Sequence, residues 1–274
     1  MMDKFIVNYK DACIYQSDLN ILRSRDGWIN DSIINYQMKR FYHSNPTTST
    51  KIPWNFVDPT VVSYFVHQLS MDDSEDVDEL RSLGCTWIDA SKEYTTYYIF
   101  VPINSNFSKS NHDAFTSGHG LHWSLLLMIF HEGLIYFYHF DSSNGLNSAA
   151  AEIVATRMTF ILSLVWNDNK EEMFNEEVRI TECKCIQQCN VYDCGIHTLI
   201  HAEAIMEGIK TFKCYTLEEC VPNDPTFYSH IIQRHLEDHI QAKASENHSV
   251  ISMTREMRHR IYQDILSVAN DEQM

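Results

Sequence analysis

Residues 123–140 constrain this chain more than any other stretch. They carry two almost unbroken apolar runs, Trp123-Ser-Leu-Leu-Leu-Met-Ile-Phe130 and Leu134-Ile-Tyr-Phe-Tyr-His-Phe140, separated only by His131-Glu132-Gly133. Apolar, β-branched and aromatic runs joined by so short a connection predict a β-hairpin. If His131 and Glu132 form a two-residue turn, His122 stands directly opposite Asp141; a turn one residue later puts Ser143 there instead. Either way, an imidazole at the start of one strand meets a carboxylate at the end of the next. That is the base-and-orienter half of a nucleophilic triad, in which the carboxylate fixes the ring tautomer and stabilises the imidazolium. Cross-strand His–Asp pairs also occur on ordinary sheet surfaces, so the hairpin alone leaves both readings open.

Further segments complete an α+β chain. Tyr97-Tyr-Ile-Phe-Val101 predicts a strand stopped by Pro102, followed by a polar loop from Asn104 to Gly120. Ile33, Ile34, Gln37, Met38 and Phe41 recur at helical spacing within 31–42, as do Ile153, Val154, Met158, Ile161, Leu162 and Val165 within 149–166. A short strand is expected from Val178 to Thr181, and a helix from about Cys194 with Ile196, Leu199 and Ile200 facing inward. After about Gln241 the chain turns polar, and helical spacing returns over 251–268. With eight glycines and six prolines, no linker divides the chain. The expected organisation is one domain over 1–240 and a C-terminal helical extension over 241–274. The acidic run from Asp72 to Glu79 predicts a solvated loop or frayed helix end, with a docking patch for a basic partner as the other reading.

Composition excludes several classes. An apolar content of 44% with 12% aromatics supports a proper core and rules out wholesale disorder. With 37 acidic against 21 basic side chains, the net charge of −16 argues against nucleic acid or an anionic membrane as partner. No apolar run approaches the ~20 residues of a bilayer span. The opening Met1-Met-Asp-Lys-Phe-Ile-Val-Asn-Tyr-Lys10 lacks the apolar stretch of a secretory signal. A monomer in the cytoplasm or nucleus, its cysteines held as thiols, is the expectation.

The nucleophile candidate is Cys194, in Gln187-Gln-Cys-Asn-Val-Tyr-Asp-Cys-Gly-Ile-His197. With Asp193 as N-cap, Cys194 falls in the first turn of the next helix, where unpaired N–H groups and the helix dipole favour a thiolate. Gly195 lets a substrate backbone approach without a Cβ in the way. Gln188 can donate to an oxyanion together with the Cys194 backbone N–H. Two other readings stand beside this one. Cys194 can be a small buried hydrophobe. Cys183, Cys185, Cys189 and Cys194, with His197 and His201 at i,i+4, can be a zinc site, although their spacings match no C-x₂-C knuckle and no H-E-x-x-H occurs. His119 rivals His122 but lies outside the predicted strand.

Taken in order, these segments resemble the Ulp or sentrin-specific protease family of ubiquitin-like-protein cysteine proteases. The resemblance runs through Trp28-Ile-Asn-Asp31, His122-Trp123, Phe140-Asp-Ser142 and Gln188 to Asp193-Cys194-Gly195, within residues 9–227. It implies a circularly permuted papain-like fold, with a central mixed or antiparallel sheet flanked by helices. It further implies His122 as base, Asp141 as orienter, Cys194 as nucleophile and Gln188 as oxyanion donor. Trp28 and Trp123 would enclose the Gly-Gly tail of a ubiquitin-like modifier, and Asp31 would contact that tail. No metal or organic cofactor is implied; the partners are the modifier and its conjugates. Tyr9 to Leu22 and the Asn/Ser/Gly loop before His122 are similar to the deneddylase branch, so a Nedd-type modifier is expected ahead of SUMO or ubiquitin. The acidic run, the Cys183/Cys185 pair and the tail after Gln241 depart from that branch. YopJ-like acetyltransferases carry a similar triad, but Trp28-Ile-Asn-Asp31 favours the protease. All four reactive positions are filled, which disfavours a non-catalytic modifier-binding module.

Overall fold

The computed structural model describes residues 3–43, 53–88, 96–108, 122–131, 134–166, 178–212, 225–246 and 249–271. In chain order the elements are β1 (Phe5–Tyr9), β2 (Ala12–Tyr15), α1 (Gln16–Arg23), α2 (Asp31–His43), β3 (Trp54–Phe56), α3 (Pro59–His67), α4 (Ser74–Trp87), β4 (Thr96–Asn104), β5 (Trp123–His131), β6 (Leu134–Phe140), α5 (Ser148–Val165), β7 (Ile180–Glu182), α6 (Cys194–Phe212), α7 (Pro225–Glu246) and α8 (Val250–Asp271). They fall into two compact units. A sheet unit comprises residues 48–139 and 145–182; a helical unit comprises 1–47, 140–144 and 183–274.

The sheet unit holds a five-stranded sheet in the order β3-β4-β5-β6-β7. Strands β3 and β4 run parallel, as do β6 and β7, while β4 and β5 are antiparallel, so the sheet is mixed. Strand β5 is the middle strand, and all of Trp123–His131 is buried. A strand covered on both faces need not alternate, which explains its unbroken apolar run. Ile99, Val101 and Ile103 of β4 share one core with Leu126, Met128 and Phe130 of β5 and with Val154, Met158, Ile161 and Leu162 of α5. By length and composition α5 is apolar enough to cross a membrane, but those four side chains are buried in this core.

Two sequence expectations need correcting. His131 is not a turn residue: it pairs with Thr96 in the ladder, and its Nδ1 lies 2.7 Å from Thr96 Oγ1. Pro102 does not stop β4, which continues to Asn104. The reason is geometric. The Tyr98 N–H bonds to Pro53 O and the Phe100 C=O accepts from the Val57 N–H, so backbone groups at these alternate positions face β3. Pro102 is next in that series, beyond the last β3 partner, Phe56, where a missing N–H breaks no ladder bond.

The acidic run is a helix start. Asp73 caps α4, its Oδ1 accepting from the Glu75 and Asp76 N–H groups at 3.0 and 3.4 Å, and Asp76 in turn accepts from the Ser70 N–H at 2.7 Å. Acidic side chains in a first turn also meet the favourable end of the helix dipole. Farther along α4, Gly84 permits close approach to α5: a Cβ there would lie 2.5 Å from Val165 Cγ2 and 2.9 Å from Ile161 Cγ2. Gly84→Val is therefore expected to destabilise the protein by about 1–3 kcal/mol, as overpacking does. A urea midpoint equal to wild type would contradict this.

The helical unit opens with a β1–β2 hairpin whose two turn residues, Lys10 and Asp11, both have positive φ (52° and 68°). That is the twist a two-residue hairpin demands, here without the usual glycine. Its last helix, α8, packs back onto the start of the chain. Tyr36 Oη donates to Asp264 Oδ2 at 2.9 Å, and Arg40 grips the same carboxylate through Nε and Nη2 at 2.7 and 2.6 Å. Gln241 lies within α7, so helix continues where the sequence turns polar.

Candidate active site

The helical unit carries Trp28, Asp31, Asp141, Gln188 and Cys194. The loop bearing Trp28 is tied at its far end: Asn30 Oδ1 accepts from the Ile33 N–H at 3.1 Å and caps α2, while Asn30 Nδ2 donates to Asp18 Oδ1 at 2.7 Å. Ile29 is buried, yet the Trp28 indole is 39% exposed. An anchored loop thus displays a large flat apolar surface. Asp31 is the first residue of α2, and its Oδ1 accepts from the Ser32 N–H at 3.0 Å.

Asp141 follows the last residue of β6 and is 4% exposed. Its Oδ1 accepts from the Ser143 N–H at 2.8 Å, and its main-chain oxygen accepts from Gln187 Nε2 at 3.0 Å and Cys185 Sγ at 3.2 Å. The next residue joins this segment to the oxyanion candidate. The Gln188 N–H donates to the Ser142 C=O at 2.9 Å, and Ser142 Oγ donates to Gln188 Oε1 at 2.8 Å. Gln188 Nε2 in turn donates to the Asn190 C=O at 2.7 Å. An amide nitrogen has two hydrogens. One is committed to Asn190, and the second is the donor a developing oxyanion can use.

Cys194 begins α6 and is 1% exposed. Asp193 holds the N-cap position by its backbone, its C=O accepting from the His197 N–H at 2.9 Å. Its side chain does not cap, contrary to the sequence expectation. Asp193 Oδ1 accepts from Arg258 Nε and Nη2 at 3.0 and 2.7 Å, and Oδ2 accepts from Asn190 Nδ2 at 2.8 Å. Recruiting the carboxylate elsewhere leaves the first-turn N–H groups of α6 without an intrahelical partner, as at any helix start, pointing where an anion is favoured.

The sheet unit carries His122 and Trp123. His122 is 2% exposed and immediately precedes β5; its C=O accepts from the Ser105 N–H at 3.0 Å and from Asn147 Nδ2 at 3.3 Å. Trp123 pairs with Asn104 in the β4–β5 ladder. Asn147 was not singled out by sequence reasoning. Its amide also reaches Ile103 O at 3.1 Å and Ser124 Oγ at 3.0 Å, pinning the strand end that bears the imidazole. An asparagine just before a helix reads as a cap, and only the fold brings it to three acceptors, two on strands and one at a strand end. His119 lies outside the described residues.

The residues of the zinc reading separate by environment. Cys183, Cys185 and Cys194 are buried, while Cys189 is exposed. Among the described residues no group of three or more His, Cys, Asp or Glu side chains could hold a metal ion. His197 and His201 are both 1% exposed, with ring centroids 5.9 Å apart. Burial, helped by the charge of His197, holds His201 down to about 3 from an ordinary 6.5. His201 is thus neutral when folded and protonates more readily once unfolded. Its contribution is fully present above the unfolded value and is lost as pH falls from about 6.5 toward about 3, on the order of 3 kcal/mol between about pH 7 and about pH 4. Urea unfolding of wild type and His201→Leu should show a shallower acid-side fall in the variant; parallel curves would contradict this.

The chain matches the Ulp1 protease family, C-terminal catalytic domain, over residues 27–240, a span that includes the Trp28 loop, His122 and the Gln188–Cys194 turn. It is 31% identical over 224 residues to the probable sentrin-specific protease 8 of Dictyostelium discoideum, covering 76% of this chain and 78% of that one. It is 27% identical over 214 residues to the NEDD8-specific protease 1 of Arabidopsis thaliana, covering 75% and 76%. A crystal structure of a de-sumoylating protease shares the fold at TM-score 0.57 and 16% identity, covering 99% of this chain and 94% of that one. The match over most of the chain and the similarity to these relatives show that the chain belongs to the Ulp1 protease family, cysteine peptidases that act on ubiquitin-like proteins.

Proposed function

We propose that this chain is a thiol isopeptidase and C-terminal hydrolase of the cytoplasm or nucleus, cleaving after the Gly-Gly end of a Nedd-type modifier. The observation that carries the reading is the Gln188–Cys194 turn, in which the oxyanion donor and the nucleophile's helix start belong to one hydrogen-bonded segment. The Nedd-type assignment draws support from the relative named as NEDD8-specific.

In this reading Asp141 orients His122, which takes the Cys194 proton. The thiolate sulfur attacks the carbonyl carbon of the second glycine of Gly-Gly, forming a C–S bond, and the oxygen takes the negative charge beside Gln188 Nε2 and the Cys194 N–H. Collapse breaks the C–N bond, and His122 protonates the departing amine. Water then attacks the thioester, releasing the modifier's carboxylate and restoring the thiol. Trp28 and Trp123 flank the side-chain-free tail, with Asp31 beside it, and no cofactor enters any step.

Gln188→Ala is expected to lower kcat by about 10²–10³-fold with little change in KM, because the donor matters most when the oxyanion forms. Equal losses in kcat/KM carried wholly by KM would contradict that role. Fluorogenic C-terminal conjugates of a Nedd-type modifier, SUMO and ubiquitin test the specificity. The Nedd-type conjugate is expected to turn over fastest; preference for either of the others removes the branch assignment.

A further inference from the structure

We propose that Arg258, on the C-terminal helix α8, is a positioning residue for the nucleophile turn, acting through Asp193 and Asn190. Arg258 lies beyond residue 240, where the family match ends. The proposal rests on Cys194 being the nucleophile, as argued above.

The guanidinium is the hub of a buried clamp. Arg258 and Asp193 are each 6% exposed in their side chains, and Nη2 lies 2.7 Å from Asp193 Oδ1. The same Nη2 donates to the Gly27 C=O at 2.6 Å, one residue before Trp28. One side chain therefore ties α8 both to the turn that presents Cys194 and to the segment that leads into the displayed indole.

Three consequences follow from where the Asp193 carboxylate goes. First, a carboxylate one residue before a thiolate opposes the thiolate's charge, and pairing it with a guanidinium cancels that opposition. Second, a carboxylate drawn toward Arg258 does not cap α6, so the helix-start N–H groups stay available to an anion. Third, the position reaches the oxyanion donor. Asp193 Oδ2 holds Asn190 Nδ2, Asn190 Oδ1 accepts from the Tyr192 and Asp193 N–H groups at 3.0 and 2.9 Å, and the Asn190 C=O takes one Gln188 Nε2 hydrogen. The path Arg258–Asp193–Asn190–Gln188 thereby sets the direction of the remaining Gln188 hydrogen. Removing Arg258 leaves a buried carboxylate without its cation, the costly way to break such a pair.

The clamp is reachable from solvent. Arg258 and Asp193 line an open cleft of about 630 Å³, with Arg255, His259 and Tyr262 of α8 on one wall and Arg25 on another. A guanidinium ion can therefore enter the space that an Arg258→Ala substitution creates.

The experiment uses the full chain, with Arg258→Ala and Arg258→Lys compared to wild type. Two rates are read at temperatures where each protein is fully folded by circular dichroism: kcat on the modifier reporter, and alkylation of Cys194 by iodoacetamide, followed by peptide mass spectrometry. Arg258→Ala should lower both by roughly 10–10²-fold, the scale of a misplaced reacting group, and millimolar guanidinium chloride should recover most of each loss. Arg258→Lys keeps the charge but loses the fork, and should fall between the two. Wild-type rates in folded Arg258→Ala, or losses that guanidinium leaves untouched, overturn the proposal. If Arg258→Ala does not fold, Arg258→Lys decides: wild-type kcat and alkylation there overturn it equally. Wild-type protein inert toward every reporter would instead refute the protease reading, while the alkylation comparison still tests the clamp.

Discussion

Cys194→Ala is expected to abolish turnover of the modifier reporter, with kcat reduced by at least about 10⁴-fold, the scale seen when a nucleophile is removed from a covalent mechanism. The loss is chemical rather than structural. Cys194 is almost wholly buried, and the hydrogen bond from Thr198 Oγ1 to its carbonyl at 3.1 Å does not involve the sulfur. Replacing the thiol by a methyl-sized group removes one atom from a helix start, so the urea midpoint should move little, as for other small core truncations of about 1 kcal/mol. Modifier binding should survive as well, because in the proposed reading side chains other than the sulfur hold the tail. A Cys194→Ala protein within ten-fold of wild-type kcat, or one that loses turnover only because it has unfolded, contradicts this.

His122→Ala is the second large effect. General acid–base catalysis contributes about 10²–10⁴-fold, and in the proposed mechanism one ring serves both the thiol and the leaving amine, so a loss near the top of that range is expected. The strand end should keep its place, because Ser105 and Asn147 bond to the His122 carbonyl, which the substitution leaves intact. That separation makes the variant informative: kcat and the alkylation rate of Cys194 should fall together while the unfolding transition stays near wild type. Unchanged alkylation alongside lost turnover would mean the imidazole acts on the amine alone.

How much of this was legible in the sequence differs by element, for identifiable reasons. The middle strand β5 was readable because burial on both faces writes a continuous apolar run, and α5 because one face packs on the sheet at helical spacing. The β1–β2 hairpin was missed: Lys10-Asp11 adopts the left-handed turn without glycine or asparagine to mark it. Pro102 misled because a proline's effect depends on which neighbour its nitrogen faces, and that is a property of sheet order. Cys194, Gln188 and Asp193 stood out as a local motif, but the direction of the Asp193 carboxylate did not. Its partner, Arg258, lies 65 residues away, and no local pattern relates the two. Asn147 was hidden likewise, since its three acceptors come from strands and a strand end that the fold gathers.

The central claim is that Cys194, and no other thiol, attacks the carbonyl of the final glycine of Gly-Gly. Cys189, five residues upstream, and Cys85 are the exposed thiols among the described residues, and Cys189 is the competitor nearer in sequence. Incubating the full chain with a Nedd-type modifier carrying a C-terminal propargylamide, then mapping the adduct by peptide mass spectrometry, separates the two. One covalent modifier per chain, on Cys194 and absent from Cys194→Ala, is the result expected. An adduct on Cys189, or none while Cys194 remains a free thiol, would contradict it.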